Sequence, residues 1–172
     1  MNTAEKRNQE LEKKKLSIKM MYYNRYLLIR YLTAFFFFIH LNWLALLLFA
    51  GSDWLVLPLG LLIAILPAVW EQVLLYRKHQ SVVRMTRNYF FVQMISNLFL
   101  FGILFTDSYE ELFPFMANSM ETKQIVSLMI VSGIFICVFV QHRLKQIATD
   151  QDRHFGRIKQ YEKILYSGKE SH

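Results

Sequence analysis

Two ionisable side chains, His40 and Glu71, stand inside otherwise apolar stretches of this 172-residue chain. A charge at a bilayer centre costs ~2.5–3.5 kcal/mol on insertion scales, so such residues mark function by default. Two amides, Gln93 and Asn97, lie four residues apart and share a helix face. Counting ~1.5 Å of helix rise per residue from Tyr31, Tyr76 and Tyr89 sets their depths. Gln93 and Glu71 fall about 6–7 Å deep, Asn97 and His40 about 12–13 Å. Those depths predict two polar layers, Glu71 with Gln93 and His40 with Asn97. Ser132, Gly133 and Cys137 fall in the same half of a later stretch. Together the four polar residues are a candidate pocket in which Glu71 carries a proton or holds a cation. The same groups equally suit hydrogen bonds between helices, worth ~0.6–2 kcal/mol each. Glu71 is also close enough to the boundary to pair with Arg77, Arg84 or Arg87.

Four apolar stretches must position these groups, at about 31–50, 54–76, 89–106 and 124–140. Each approaches the ~20 residues that a helix needs to cross a ~30 Å hydrocarbon core. Of 20 Lys and Arg residues, the segment before the first stretch holds eight. The later connections hold none, four and one, and the tail after Val140 holds seven. By the positive-inside rule both termini and the Arg77–Arg87 connection are cytoplasmic. The fold expected is therefore an all-α membrane protein: a four-transmembrane-helix bundle with helical cytoplasmic extensions at both ends. Residues 1–30 read as a basic N-terminal helix, 31–140 as the membrane domain and 141–172 as an amphipathic helix and tail. No cleavable leader is read at the N-terminus, since about thirty polar residues precede the first apolar stretch.

Within that frame, Tyr22, Tyr23, Tyr26 and Tyr31 suit the headgroup zone, and Arg25 and Arg30 can snorkel to it. Gly51, Ser52 and Asp53 make a tight turn between the first two spans. Pro58 sits near the start of the second span, while Pro67 is interior and expected to kink it. Gly60, Ala64 and Ala68 recur every fourth residue and form a candidate face for close helix packing. Arg77, Lys78, Arg84 and Arg87 are candidate contacts for anionic lipid. The acidic connection 107–123 carries an apolar patch, Leu112 to Met116, expected in the interface or against a partner. After Val140 a stripe of Leu144, Ala148, Gln151, Phe155, Ile158, Glu162 and Leu165 runs at spacings of four and three, as on a helix.

The sequence contains no HExxH, P-loop, GxGxxG or GxSxG, and no catalytic or metal site is read from it. Cys137 is alone, so it has no intrachain disulfide partner. No cofactor is expected. The net charge of +7 follows from topology rather than nucleic-acid binding. In architecture the chain resembles the small multidrug transporters, which also have four spans and a membrane-embedded Glu. In that family the Glu is in the first span, whereas here it is in the second, and this chain adds long polar arms. The leading expectation is a non-enzymatic accessory or scaffold subunit of a larger membrane assembly. The alternative is a small homo-oligomeric transporter or ion or proton pathway using Glu71. The partners expected are the lipid bilayer and another membrane protein or a second copy. Size and the lack of eukaryotic sorting signals point to a bacterial cell membrane.

Overall fold

The computed structural model describes residues 24–75 and 83–151. It also describes Glu5, Gln9, Glu12, Lys13, Leu16, Ser17, Ile18, Met20, Met21, Gly156, Ile158 and Lys159, all helical. The described residues contain helices and no strands. Helix α1 is Leu27–Ala50, followed by a single 3-10 turn, Asp53–Leu55. Helix α2 is Val56–Leu74, α3 is Arg84–Ile103, α4 is the short Tyr109–Leu112, and α5 is Met120–Ala148. Among the described residues, three segments are long and apolar enough to cross a membrane: Leu27–Ala50, Asp53–Leu74 and Met120–Ala148. Helix α3 has the length, at 20 residues, but opens on Arg84 and Arg87 and carries Asn88, Gln93 and Asn97. Large apolar side chains cover the outside, with Phe49 91% exposed and Leu128 and Phe135 each 71%. Such a surface matches a hydrocarbon solvent, so the three helices make this a membrane protein.

Each long helix pairs with the next. Helix α1 packs on α2, α2 on α3, and α3 on α5. The first and last helices, α1 and α5, are not among the close pairs. The interior divides into two apolar layers. One gathers Ile29, Phe36, Ile65, Ala68, Phe90, Cys137 and Val140. The other gathers Trp43, Leu47, Leu61, Leu100, Leu112, Phe113 and Ile130 at the end where α1 turns into α2.

That turn depends on Gly51, whose φ of 68° is left-handed and whose N–H bonds back to α1 carbonyls. Glycine adopts this conformation without the steric cost of a Cβ. Ser52 and Trp54 then reach across to the α4 segment. Ser52 Oγ donates to the Glu111 carbonyl at 2.6 Å, and Trp54 Nε1 to Glu111 Oε2 at 2.7 Å. From inside the layer, Trp43 Nε1 donates to the Leu112 carbonyl at 3.2 Å. The expected interfacial patch is therefore split. Leu112 and Phe113 are buried as a plug on the bundle end, and Pro114 and Phe115 remain exposed. Phe113 stacks on Trp43 at 5.8 Å, which holds the plug in place.

At the other end the chain is closed by Arg25. Its side chain is 2% exposed and ion-pairs with Asp150 at 2.9 Å. The same Nη2 donates to the Ile147 carbonyl at 3.3 Å. A cation at these last carbonyls also opposes the negative end of the α5 dipole. Helix α5 stops just beyond, where Asp150 takes φ 53°. The C-terminal stripe differs accordingly from the expected seam. Leu144, Ile147 and Ile158 are buried, whereas Ala148 and Gln151 are exposed. The helix ends at Ala148 and Asp150 is left-handed, so the α5 helix does not carry the spacing of four and three past that point. Phe155, Glu162 and Leu165 lie outside the described residues. Helix α2 runs unbroken through Pro67.

Replacing Arg25 with Met should therefore destabilise the fold by about 2–4 kcal/mol, because a buried charged hydrogen-bond set is lost. Asp150→Asn should cost less, about 1 kcal/mol, because Asp150 is 42% exposed and an amide still accepts. Thermal unfolding in mild detergent checks both, and equal losses would contradict the asymmetric burial.

Candidate functional site

The four sequence candidates separate into two polar layers, but with partners other than those expected. Glu71 does not meet Gln93. Its carboxylate faces the first turn of α3, where Oε2 accepts from Thr86 N at 2.7 Å and Thr86 Oγ1 at 2.9 Å. Its Oε1 accepts from Met85 N at 3.1 Å. The residue just before α3, Val83, offers no side-chain cap. Glu71 on α2 thus supplies the cap for α3, and its negative charge stands at the positive end of that helix dipole. The physical reason for the correction is where α3 starts. It begins at Arg84, five residues before Tyr89, which brings Thr86 rather than Gln93 level with Glu71.

Gln72 extends this first layer inward. Its Nε2 donates to Thr33 Oγ1 at 2.8 Å and to Thr86 Oγ1 at 3.4 Å. Its backbone carbonyl accepts from Arg30 Nη2 at 3.1 Å. Thr33 in turn donates to the Ile29 carbonyl at 2.8 Å. Three helices are joined here by side chains outside the four polar candidates, Thr33, Gln72 and Thr86. Thr33 and Thr86 gave no signal, since threonine is ordinary in an apolar helix until its hydroxyl is seen to bond.

The second layer lies between the two apolar layers. His40 Nε2 bonds Gln93 Oε1 at 2.8 Å, and Tyr89 Oη donates to the same oxygen at 3.2 Å. Gln93 Nε2 donates to Asn97 Oδ1 at 3.1 Å. His40 therefore meets Asn97 only through Gln93, whose longer side chain lies between them. His40 is also stacked on Phe36 at 6.2 Å. All three are buried, at 3%, 1% and 6% exposure. Two atoms of this layer have no partner, His40 Nδ1 and Asn97 Nδ2. Asn97 fits against α5 because position 133 is glycine. A Cβ at Gly133 would lie 2.8 Å from Asn97 Nδ2.

The remaining candidates fall apart in space. Ala68 is buried in the core and Ala64 packs beside it, but Gly60 faces outward with nothing within 4 Å of a Cβ placed there. The three small residues thus do not form one close-packed face in this chain. Arg84 and Arg87 are exposed on the first turn of α3. Arg77 and Lys78 lie outside the described residues. Cys137 is buried in the apolar layer. Among the described residues no three His, Cys, Asp or Glu side chains gather as a metal site would require.

Beside the second layer a cavity of about 650 Å³ occupies the space between α1 and α5. His40, Gln93 and Asn97 form its polar wall, and Phe36, Trp43 and Ile130 are among the apolar residues around it. Phe113, Phe115 and Met116 bound it at the plug. The chain matches no protein-family model, no curated protein and no solved structure.

These contacts set distinct mutational outcomes. Glu71→Ala should destabilise by about 2 kcal/mol, the upper range for a lost helix cap, and Glu71→Gln by about half that. Gly133→Ala should cost about 1–3 kcal/mol through overpacking on Asn97. Gly60→Ala should instead be neutral or slightly stabilising, since alanine favours helix by up to ~1 kcal/mol. Unfolding curves of the four variants in one detergent would decide this, and a destabilising Gly60→Ala would show that Gly60 packs against another subunit.

Proposed function

We propose that this is a four-span membrane protein acting as a non-enzymatic accessory or scaffold subunit of a larger membrane assembly. In this reading α3 is the fourth span. Both termini and residues 77–87 face the cytoplasm, and the Gly51 turn and α4 face outward. The charge distribution supports the orientation, with 19 of 20 Lys and Arg on the inner side. The use of side chains on α3 supports its place in the bundle. Its polar residues Gln93 and Asn97 turn inward, while Phe91, Ile95, Leu98 and Phe99 are exposed. This inside-out pattern suits a helix bounded by lipid on one side and helices on the other.

The observation that carries the functional reading is the engagement of Glu71. The one carboxylate within the apolar stretches accepts three hydrogen bonds from the first turn of α3. A proton carrier must exchange its proton in each cycle, and doing so at Glu71 would uncap α3. The alternative reading, a small transporter or proton pathway through Glu71, has to break this contact at every turnover. A structural subunit keeps it permanently. The largely apolar exterior also leaves room for a partner membrane protein or a second copy against the bundle.

Isolation of the full chain from its own membranes in native nanodiscs tests the reading. A stoichiometric larger membrane protein should accompany it, and Glu71→Gln should retain that partner. Recovery of the chain alone, together with proton flux abolished by Glu71→Gln, would overturn it. Orientation has a separate check. Lys123→Cys in the Cys137→Ala background should react with an impermeant maleimide from outside, and Arg87→Cys only after the membrane is opened.

A further inference from the structure

We propose that the cavity between α1 and α5 is a binding site for a neutral long-chain lipid bearing a free hydroxyl. The site needs only that the bundle sits in a membrane, and does not depend on the accessory-subunit reading. Its volume of about 650 Å³ lies within the range of ~300–1,000 Å³ that houses small molecules. It lies where α1 and α5 are not closely paired with one another. Its mouth is lined by side chains already exposed at the surface, Phe35, Phe38, Ile39 and Met129. In a bilayer those residues face acyl chains, so an amphiphile reaches the cavity sideways without crossing water.

The polar wall specifies the headgroup. Gln93 Oε1 can only accept, so its 2.8 Å bond requires the proton on His40 Nε2. A neutral imidazole protonated there leaves Nδ1 as an acceptor. Asn97 Oδ1 is already occupied by Gln93 Nε2, which leaves the Nδ2 amide as a donor. Nδ1 and Nδ2 are the two unpartnered buried atoms of this wall. A hydroxyl can satisfy either atom, giving its hydrogen to Nδ1 or taking one from Nδ2. A phosphate or carboxylate anion has no hydrogen to give to Nδ1, and it brings charge far from either helix end. The surrounding lining, largely Phe, Leu, Ile, Met and Val, suits a hydrocarbon tail. Both free atoms lie beneath the cavity surface, so engagement requires a small side-chain movement.

The test uses the full chain in phosphatidylcholine nanodiscs with a sixteen-carbon primary alcohol carrying a diazirine on its tail. Photolabelling should concentrate on the peptides spanning residues 35–46 and 126–136. Unlabelled hexadecanol should compete at least about tenfold better than its methyl ether, which has lost the donor, on the scale of one buried hydrogen bond. His40→Phe keeps the ring beside Phe36 and Asn97→Leu keeps the volume, and each should weaken labelling about tenfold. Met129→Trp, at the exposed mouth, should block labelling without touching the polar wall, and unfolding curves verify that each variant is folded. Equal competition by alcohol and ether, or labelling spread evenly over the lipid-facing helices, would overturn the proposal. So would a folded Met129→Trp variant that labels as strongly as the wild type. The accessory-subunit reading fails separately, by loss of a co-purifying protein while labelling persists.

Discussion

A helix that ends inside or near a hydrocarbon solvent has nowhere to hide its unpaired amides and carbonyls. Water satisfies such groups on soluble proteins, but here side chains from other helices do so. Glu71 reaches from α2 to the first amides of α3. Arg25 reaches from the segment before α1 to the last carbonyls of α5. Trp43 reaches from α1 to the carbonyl at the end of α4. Each bond both completes a helix end and fixes one helix against another. Packing alone gives weaker guidance in lipid, because acyl chains are as apolar as leucine. The architecture therefore depends on a few polar contacts whose geometry is strict, with apolar layers filling the space between them.

The two polar layers illustrate how differently similar groups can be used. Around Glu71, Thr86, Gln72 and Thr33 most capacity is engaged, and three helices are locked together. Around His40, Gln93 and Asn97 the bonds form a chain that stops short at both ends. Gln93 uses both ends of its amide, and its neighbours each keep one atom unpaired. The first layer binds helices that already pack closely. The second borders the cavity between α1 and α5. This contrast is why we propose a structural role for Glu71 and a recognition role for His40 and Asn97.

Much of this was legible from residue types. Runs of apolar residues without charge predict helices of membrane length, and three of the four meet that description. The fourth, α3, was expected from its apolar stretch, yet its observed start brings in Arg84 and Arg87 and lowers its apolar character. The residues of the polar layers were visible as exceptions to an apolar background, while their partners were not. Depth along a helix is a one-dimensional coordinate, and it places groups at a level without saying which face they occupy. It also depends on the helix start, which for α3 was set by a cap from a different helix. Threonines that complete the layer around Gln72 carry no such contrast with their surroundings. The gap between α1 and α5 was likewise hidden, since pattern alone does not tell which faces of neighbouring helices meet.

The clasps differ greatly in how much chain they enclose. Glu71 and Thr86 are fifteen residues apart, whereas Arg25 and Asp150 are separated by 125. Loop-closure entropy rises with the length enclosed, so the short clasp forms readily once its two helices exist. The long one cannot form until Asp150 has been synthesised, after every long helix is already made. The short clasp is thus local to α2 and α3, whereas the long one joins the two chain ends of the helical bundle. That clasp ties the segment before α1 to the end of α5, so it encloses all four long helices in one closed loop.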